Sequence, residues 1–273
     1  MAIWRDEAER VSISLDGGVA DVRLTRGDKM NALDPAMFAA IAAALAHLRG
    51  VAGMRCVLLS GEGRAFCAGL DMASMAQANA AGGADIADRT HGQANLFQHI
   101  CWGWRELPVP VIAAIHGVAF GGGMQLASGA DIRIAQRDTR LSIMEAKWGL
   151  VPDMAGMALW RGLVRDDLLR DLVYSAREVD AAEAHAIGLV TRLGDDPLAE
   201  GLALAHAIAA RSPDATRAAK RLINAMPEEP SSALLAAESV EQKALLGSSN
   251  QMEAVRANFE KRAPVFIDPD PLG

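Results

Sequence analysis

Two carboxylates near the middle of the chain are the strongest candidates for acid–base chemistry. Glu145 follows an apolar segment, 141–144, that predicts a short strand, and Asp153 lies further along in a loop. Apolar neighbours remove water from a carboxylate, which raises its pKa and makes it a better proton acceptor near neutral pH. The alternative is that Glu145 is a surface residue that forms an ion pair with Lys147 or Arg161.

A glycine-rich turn between a predicted strand and a predicted helix is the second such feature. The β-branched apolar run 111–115 predicts a buried strand, the triplet 121–123 is all glycine, and 124–130 predicts a helix. Unpaired backbone N–H groups and the positive end of a helix dipole would then face one point, which suits an anion or an oxygen that becomes negative during a reaction. Tight helix–strand packing is the alternative. Met124 and Gln125 follow the triplet where a phosphate-binding loop needs lysine and a hydroxyl group, and the glycine spacing does not fit a dinucleotide site.

The segment 65–71, A-F-C-A-G-L-D, predicts a similar turn after a buried strand at 55–60. Its small residues permit a close approach of the backbone to another group, so the N–H of Leu70 would be open to a ligand. Asp71 can cap the segment that follows. An ordinary corner between a strand and a helix is the alternative interpretation.

Composition excludes several classes of partner. The chain has 273 residues, 51% of them hydrophobic and 22% charged, as in a soluble globular protein. Its net charge of −7 argues against nucleic acid as a partner, and polar residues and glycines within the apolar stretch 109–132 argue against a membrane span. The three cysteines are widely spaced, which predicts free thiols in a reducing cytoplasm and no metal site. The acidic residues near the N-terminus argue against export.

Hydrophobic periodicity predicts an α/β fold in two parts, strand-rich residues 1–195 and helical residues 196–273. A Gly17-Gly18 hairpin joins the first two strands, Asp34 is expected to cap the first helix, and 75–88 is expected to be a mobile connector. The predicted strands are 11–16, 19–25, 55–60, 111–115, 131–136, 141–144 and 189–193. The predicted helices are 35–49, 91–106, 124–130, 155–164, 166–175, 180–186, 197–210, 213–225, 231–246 and 251–261.

Taken together, these motifs resemble those of the crotonase superfamily, the enoyl-CoA hydratases and isomerases. The resemblance rests on A-F-C-A-G-L-D (65–71), H-G-V-A-F-G-G-G-M-Q (116–125), A-D-I-R (130–133), the segment 145–153, D-K-M-N-A-L (28–33) and F-E-K-R-A-P-V-F (259–266). It covers nearly the whole chain. Each motif alone is weak, but all of them occur in the order and spacing of the family.

The resemblance implies a crotonase-like spiral of ββα units, followed by a C-terminal helical region that forms homotrimers, which often pair into hexamers. It implies an acyl-CoA thioester substrate that carries its own coenzyme A, with no separate cofactor. The N–H groups of Leu70 and Gly122 would form an oxyanion hole for the thioester oxygen. The residues implied in substrate and coenzyme A binding are Met30, Ala32, Ala68, Gly69, Asp71, Met72 and Gly121, with Lys261 facing coenzyme A phosphates.

One departure from the family pattern bears on the reaction. Typical hydratases have two catalytic glutamates, and Gln125 stands at the first of these positions while Glu145 occupies the second. An amide cannot take a proton from water at neutral pH, so double-bond isomerisation is favoured, with Glu145 as proton shuttle and Gln125 as a neutral orienting group. Asp153 matches a catalytic aspartate of dienoyl-CoA isomerases. Alternatives are a thioester hydrolase, a C–C lyase or a non-catalytic acyl-CoA binding protein.

Overall fold

The computed structural model of the chain describes residues 3–80 and 85–271 and contains alternating strands and helices. The strands are β1 (Ile3–Arg5), β2 (Val11–Asp16), β3 (Val19–Leu24), β4 (Cys56–Gly61), β5 (Val111–Ile115), β6 (Val118–Phe120), β7 (Ile132–Gln136), β8 (Arg140–Ser142), β9 (Glu178–Asp180) and β10 (Arg192–Gly194). The helices are α1 (Pro35–Arg49), α2 (Met72–Ala80), α3 (Leu96–Glu106), α4 (Gly122–Ser128), α5 (Gly156–Trp160), α6 (Asp166–Ser175), α7 (Ala181–Ala186), α8 (Pro197–Ala209), α9 (Pro213–Ala225), α10 (Ser231–Leu245) and α11 (Ser249–Phe259).

A parallel sheet forms the centre of the fold. The larger sheet has the order β1-β2-β3-β4-β5-β7-β10, in which β1, β2 and β3 pair antiparallel and the remaining neighbours pair parallel. Strands β6, β8 and β9 form a smaller sheet. Helices lie between most of the parallel strands in the chain, because a parallel pair needs a long connection. This arrangement confirms the predicted α/β fold class.

Side chains alternate between the two faces of the larger sheet, as the period of a strand dictates. On β4, Val57 and Leu59 belong to the main hydrophobic core, which also contains residues of α1 and α3. Cys56 and Leu58 face the other way and pack with Ala205 of α8 in a second, smaller core. Helix α8 therefore covers the opposite face of the sheet, although it lies beyond residue 195. The division of the chain at that position stays a prediction.

Several predicted segments differ from the structure. The strand predicted at 189–193 is Arg192–Gly194, and the helix predicted at 155–164 ends at Trp160. The helix predicted at 91–106 begins only at Leu96, because the Asn95 side chain accepts a hydrogen bond from the N–H of Gln98 and the Gln98 side chain accepts one from the N–H of Asn95. This reciprocal capping box fixes the first turn at that position. The prediction of a connector at 75–88 is wrong for its first part, since Met72–Ala80 is helical; residues 81–84 lie outside the described chain.

The C-terminal helices pack against the sheet region through a buried lysine. Lys220 of α9 forms an ion pair with Asp131 at 2.8 Å and donates hydrogen bonds to the backbone oxygens of Trp104 and Val109. Burial lowers the pKa of Lys220, and the Asp131 carboxylate opposes that shift. Cysteines 56, 67 and 101 are buried free thiols, as predicted. The described helices include none whose length and apolar character would let it span a lipid bilayer.

Candidate active site

The glycine triplet begins α4 and leaves one backbone donor free. Gly121 has a positive φ of 50° and donates its N–H to the backbone oxygen of Ser142 at 2.9 Å. The N–H of Gly122, at the first position of the helix, has no acceptor in the described part of the chain, as expected for a helix start. A Cβ on Gly123 would lie 2.3 Å from the backbone oxygen of Cys67, so only glycine fits at this contact.

A second free donor comes from the turn after β4. The backbone of Leu33 pairs with both neighbours of Leu70, accepting from the N–H of Asp71 at 3.0 Å and donating to the oxygen of Gly69 at 2.8 Å. In an extended segment, successive N–H groups point in opposite directions. The N–H of Leu70 therefore faces away from this pairing, and no acceptor for it occurs among the described residues.

The two turns are held against each other by backbone contacts. The N–H of Cys67 donates to Val118, and the N–H of Phe120 donates to the oxygen of Cys67, both at 3.1 Å. A Cβ on Gly69 would lie 2.5 Å from the oxygen of Phe120 and 3.5 Å from the nitrogen of Gly122. Both turns line one cavity of about 90 Å³, which is lined by Ala68, Gly69, Leu70, Met72, Phe120, Gly121, Gly122, Met144, Glu145, Trp148 and Leu150.

Glu145 lies in the wall of this cavity with one oxygen paired and one free. The residue is 7% exposed, and its Oε1 accepts a hydrogen bond of 2.6 Å from Nε2 of Gln125. Its Oε2 is buried without a hydrogen-bond partner among the described residues. Burial raises the pKa of Glu145, the hydrogen bond from Gln125 lowers it, and the charge of Asp153 adds to the rise.

The alternative of a surface ion pair for Glu145 is wrong. Arg161 lies 3.9 Å from Glu228 instead, and the Lys147 ammonium lies over the ring of Trp148. A buried carboxylate with a raised pKa and no cationic partner within the described chain is a common property of catalytic bases, because such a group is both reactive and ready to accept a proton near neutral pH.

The orientation of the Gln125 amide is fixed by the backbone. Its Oε1 accepts hydrogen bonds from the N–H groups of Met154 at 2.9 Å and Gly156 at 3.0 Å. With the oxygen held by two donors, the NH₂ group must face Glu145. Gln125 is 1% exposed and does not line the cavity. Its amide contacts Glu145 and not the cavity.

Asp153 lies in a different place from Glu145. It lines a larger chamber of about 430 Å³, which shares Leu70, Met72 and Leu150 with the first cavity. The residue is partly exposed at the chamber edge, and partial burial of its carboxylate raises its pKa. Glu145 therefore lines the cavity at the free amides, and Asp153 lines the adjoining chamber.

The other residues expected at the site divide into two groups. Ala68, Gly69, Met72 and Gly121 line the first cavity, as stated above. Asp71 instead forms an ion pair with Arg26 at 3.0 Å, and its Oδ1 accepts from the N–H of Ser74 to cap α2.

The backbone of Met30 accepts a hydrogen bond from Ala68, so its loop supports the turn. Ala32 is half-buried in the same loop. Lys261 is exposed beyond α11 and lines neither space. The sequence interpretation missed Phe120 and Phe97 as lining residues.

The chain is similar to known proteins over almost its whole length. It matches the family model described as enoyl-CoA hydratase/isomerase over residues 14–269. It is 32% identical over 252 residues to a putative enoyl-CoA hydratase of Thermus thermophilus, covering 92% of this chain and 98% of the relative. It is 28% identical over 258 residues to a mitochondrial Delta(3,5)-Delta(2,4)-dienoyl-CoA isomerase of Dictyostelium discoideum, covering 91% and 87%. The solved structure of a putative enoyl-CoA hydratase from Streptomyces coelicolor is 32% identical, with a TM-score of 0.87 over 97% of each chain.

Proposed function

The chain belongs to the enoyl-CoA hydratase/isomerase family, and we propose that it moves the double bond of an enoyl-CoA thioester more efficiently than it hydrates one. The observation that carries this proposal is the hydrogen bond from Gln125 to Glu145. Because residue 125 is a glutamine, Glu145 is the one carboxylate in the described lining of the cavity that contains the N–H groups of Leu70 and Gly122. A neutral amide with its oxygen already bonded to two backbone donors cannot act as the second base that hydration uses.

The reaction we infer starts from a 3-enoyl thioester with its carbonyl oxygen between the N–H groups of Leu70 and Gly122. Glu145 takes a proton from C2 through its free oxygen, and the electron pair of that C–H bond delocalises to the thioester oxygen. The two N–H groups stabilise this negative charge. The same carboxyl group then returns the proton to C4, where the electron pair of the C3–C4 double bond forms the new C–H bond. The electron pair held on the thioester oxygen returns to form the C2–C3 double bond.

We propose a second acid–base role for Asp153 on carbons further from the thioester. Its place in the larger chamber supports this assignment, because the chamber continues from the cavity that contains Glu145. The raised pKa of Asp153 suits a group that exchanges protons near neutral pH. A substrate with two double bonds would extend from one carboxylate to the other, which would allow a proton to leave at one end and another to arrive at the far end.

Two assays on one preparation test the proposed reaction. The rate of 3-enoyl-CoA isomerisation and the rate of 2-enoyl-CoA hydration are measured on thioesters of the same chain length. We expect isomerisation to be the faster reaction, because loss of one general base costs about 10²–10⁴ in the rate of the step it serves. Hydration that exceeds isomerisation would contradict the proposal.

Substitution of Gly69 by alanine tests the oxyanion hole. The new Cβ would lie 2.5 Å from the oxygen of Phe120, so the two turns must separate and the two N–H groups no longer converge. We expect a loss of about 10²–10³ in kcat, the usual effect of losing one such donor. Gly247→Ala is the matched control, since Gly247 also has a positive φ but has no atom within 4 Å of the added Cβ. Equal activity in the two folded variants would contradict the oxyanion-hole assignment.

We also propose that the protein assembles as a homotrimer or a pair of trimers in the cytoplasm. Helix α10 has no buried residue in the single chain, and Leu235, Val240 and Phe259 of α10 and α11 are exposed apolar side chains. Apolar surface of this kind is typical of subunit interfaces. The molar mass in solution tests this assembly, and a monomer at micromolar concentration would contradict it.

A further inference from the structure

We propose that the larger chamber selects apolar acyl chains of about six to ten carbons, and that Ala76 and Phe97 set the upper limit. This inference rests on the proposed function, because it assumes that the thioester carbonyl occupies the cavity between Leu70 and Gly122. The acyl chain would then pass Leu70 and Met72 into the chamber, since these residues border both spaces.

The size and lining of the chamber support a chain of this length. Its volume is about 430 Å³, against about 90 Å³ for the cavity at the amides. A methylene-sized unit occupies roughly 30 Å³, about the share of one water molecule in the liquid. The chamber would therefore hold about seven such units with half of its volume left to solvent. Its described lining is apolar except for Asp153: Leu70, Met72, Met75, Ala76, Ile86, Phe97, Leu150, Val151 and Met154.

Several of these apolar side chains are exposed in the free protein. Val151 is 70% exposed, Ile86 56% and Leu150 47%. A four-carbon acyl group would reach few of them and would leave this surface in water. A longer chain covers it, and each buried methylene contributes through the hydrophobic effect.

Phe97 forms a firm wall of the chamber. Its ring packs edge-on against Phe38 of the main core, with 4.8 Å between the ring centroids. Truncation of Phe97 to alanine would remove this wall and enlarge the chamber, so longer chains gain room.

Asp153 adds a second element of selection by charge. It is the one ionisable side chain in the described lining, and none of the ion pairs of the described chain includes it. An acyl chain with a terminal carboxylate would place a second negative charge near the Asp153 carboxylate, and the two charges would repel each other. The chamber therefore favours methyl-terminated chains over carboxylated chains of the same length.

The test compares kcat/KM for 3-enoyl-CoA thioesters of four, six, eight and ten carbons, and for a six-carbon thioester with a terminal carboxylate. We expect about a fourfold rise per methylene up to eight carbons, which corresponds to about 0.8 kcal/mol for each buried methylene. We expect the carboxylated thioester to fall below its methyl-terminated counterpart by about tenfold or more, as for a like-charge contact of about 1.4 kcal/mol or more. A maximum at four carbons would overturn the inference.

Three variants show whether the chamber itself causes the preference. Ala76→Phe fills the chamber and should lower kcat/KM for the eight-carbon substrate by about tenfold or more relative to the four-carbon substrate, since the larger side chain occupies the space of the acyl chain. Ala73→Phe is the matched control, because Ala73 is exposed on the same helix and does not line the chamber. Phe97→Ala should move the optimum to longer chains. An equal loss for all substrates in Ala76→Phe would contradict the assignment.

Binding of saturated acyl-CoA thioesters separates this inference from the proposed reaction. These ligands cannot isomerise, so their dissociation constants report on the chamber alone. Tighter binding of octanoyl-CoA than of butanoyl-CoA, with no turnover of any enoyl thioester, would support the chamber and reject the isomerase. Isomerisation with equal binding of both ligands would support the isomerase and reject the chamber.

Discussion

Substitution of Glu145 by glutamine is expected to abolish isomerisation, with kcat reduced by about 10²–10⁴ or more. Glutamine keeps the size of the side chain and an oxygen that accepts the hydrogen bond from Gln125, but it cannot take a proton at neutral pH. The measurement is kcat for a 3-enoyl-CoA thioester in both proteins. Glu229→Gln, at an exposed position, is the matched control and should retain wild-type activity.

The stability of the same variant separates loss of the base from loss of the fold. The pKa of Glu145 is raised in the folded protein above its ordinary value of about 4.3. At pH values between the ordinary pKa and the raised pKa, the folded state therefore binds more protons than the unfolded state. The free energy of unfolding of the wild type falls as pH rises through that window. Glutamine lacks this cost, so the variant should have a Tm at pH 7 equal to or above that of the wild type, with the gain shrinking toward pH 4. Activity that persists in a folded Glu145→Gln protein would exclude the shuttle role.

Substitution of Gln125 by glutamate is expected to change which reaction the protein performs. A carboxylate at this position would lie about as close to Glu145 as the amide does, at 2.6 Å, and two negative charges at that distance must share a proton. The N–H groups of Met154 and Gly156 would stabilise the charge on residue 125, so the proton would stay on Glu145.

Glu145 would therefore be protonated at pH 7, and isomerisation at this pH should fall about tenfold or more. Isomerisation should recover at higher pH, where Glu145 loses its proton. The ratio of hydration to isomerisation should rise by about 10²–10⁴, because two carboxylates that share a proton can accept one proton from water and donate another to C2 through the oxygens of Glu145. Gln136→Glu is the matched control: it makes the same change at the end of β7, away from both spaces. An unchanged ratio in Gln125→Glu would contradict our account of the amide.

Elements with strong periodicity were predictable from the sequence, and three of the short strands were not. The apolar run of β5 and the capped helix α1 occur at their predicted bounds, because burial and an N-cap aspartate each specify them locally. Strands β1, β6 and β9 have three residues each and depend on partners distant in sequence. Three residues carry too little alternation to indicate a strand, so only tertiary pairing determines them.

The candidate site likewise has features that the sequence predicts and features that it does not. The two turns were predictable, because glycine and small residues after buried strands indicate close backbone approach. The role of Gln125 was predictable only in outline, since its orientation depends on two backbone donors beyond residue 150. The separation of Asp153 from Glu145, and the ion pair that removes Asp71 from the site, depend on how distant loops pack. Neither leaves a signal in local sequence.

Exchange of the C2 protons of 3-enoyl-CoA thioesters with D₂O tests the central claim most directly. The claim is that the N–H groups of Leu70 and Gly122 bind the thioester oxygen while Glu145 removes and returns a proton at the adjacent carbon. Deuterium at C2 of recovered substrate is measured by mass spectrometry for the wild type and for Glu145→Gln. We predict exchange by the wild type and none by the variant. Absence in the wild type of both exchange at C2 and transfer of a C2 deuterium label to C4, or equal exchange by the two proteins, would contradict the claim.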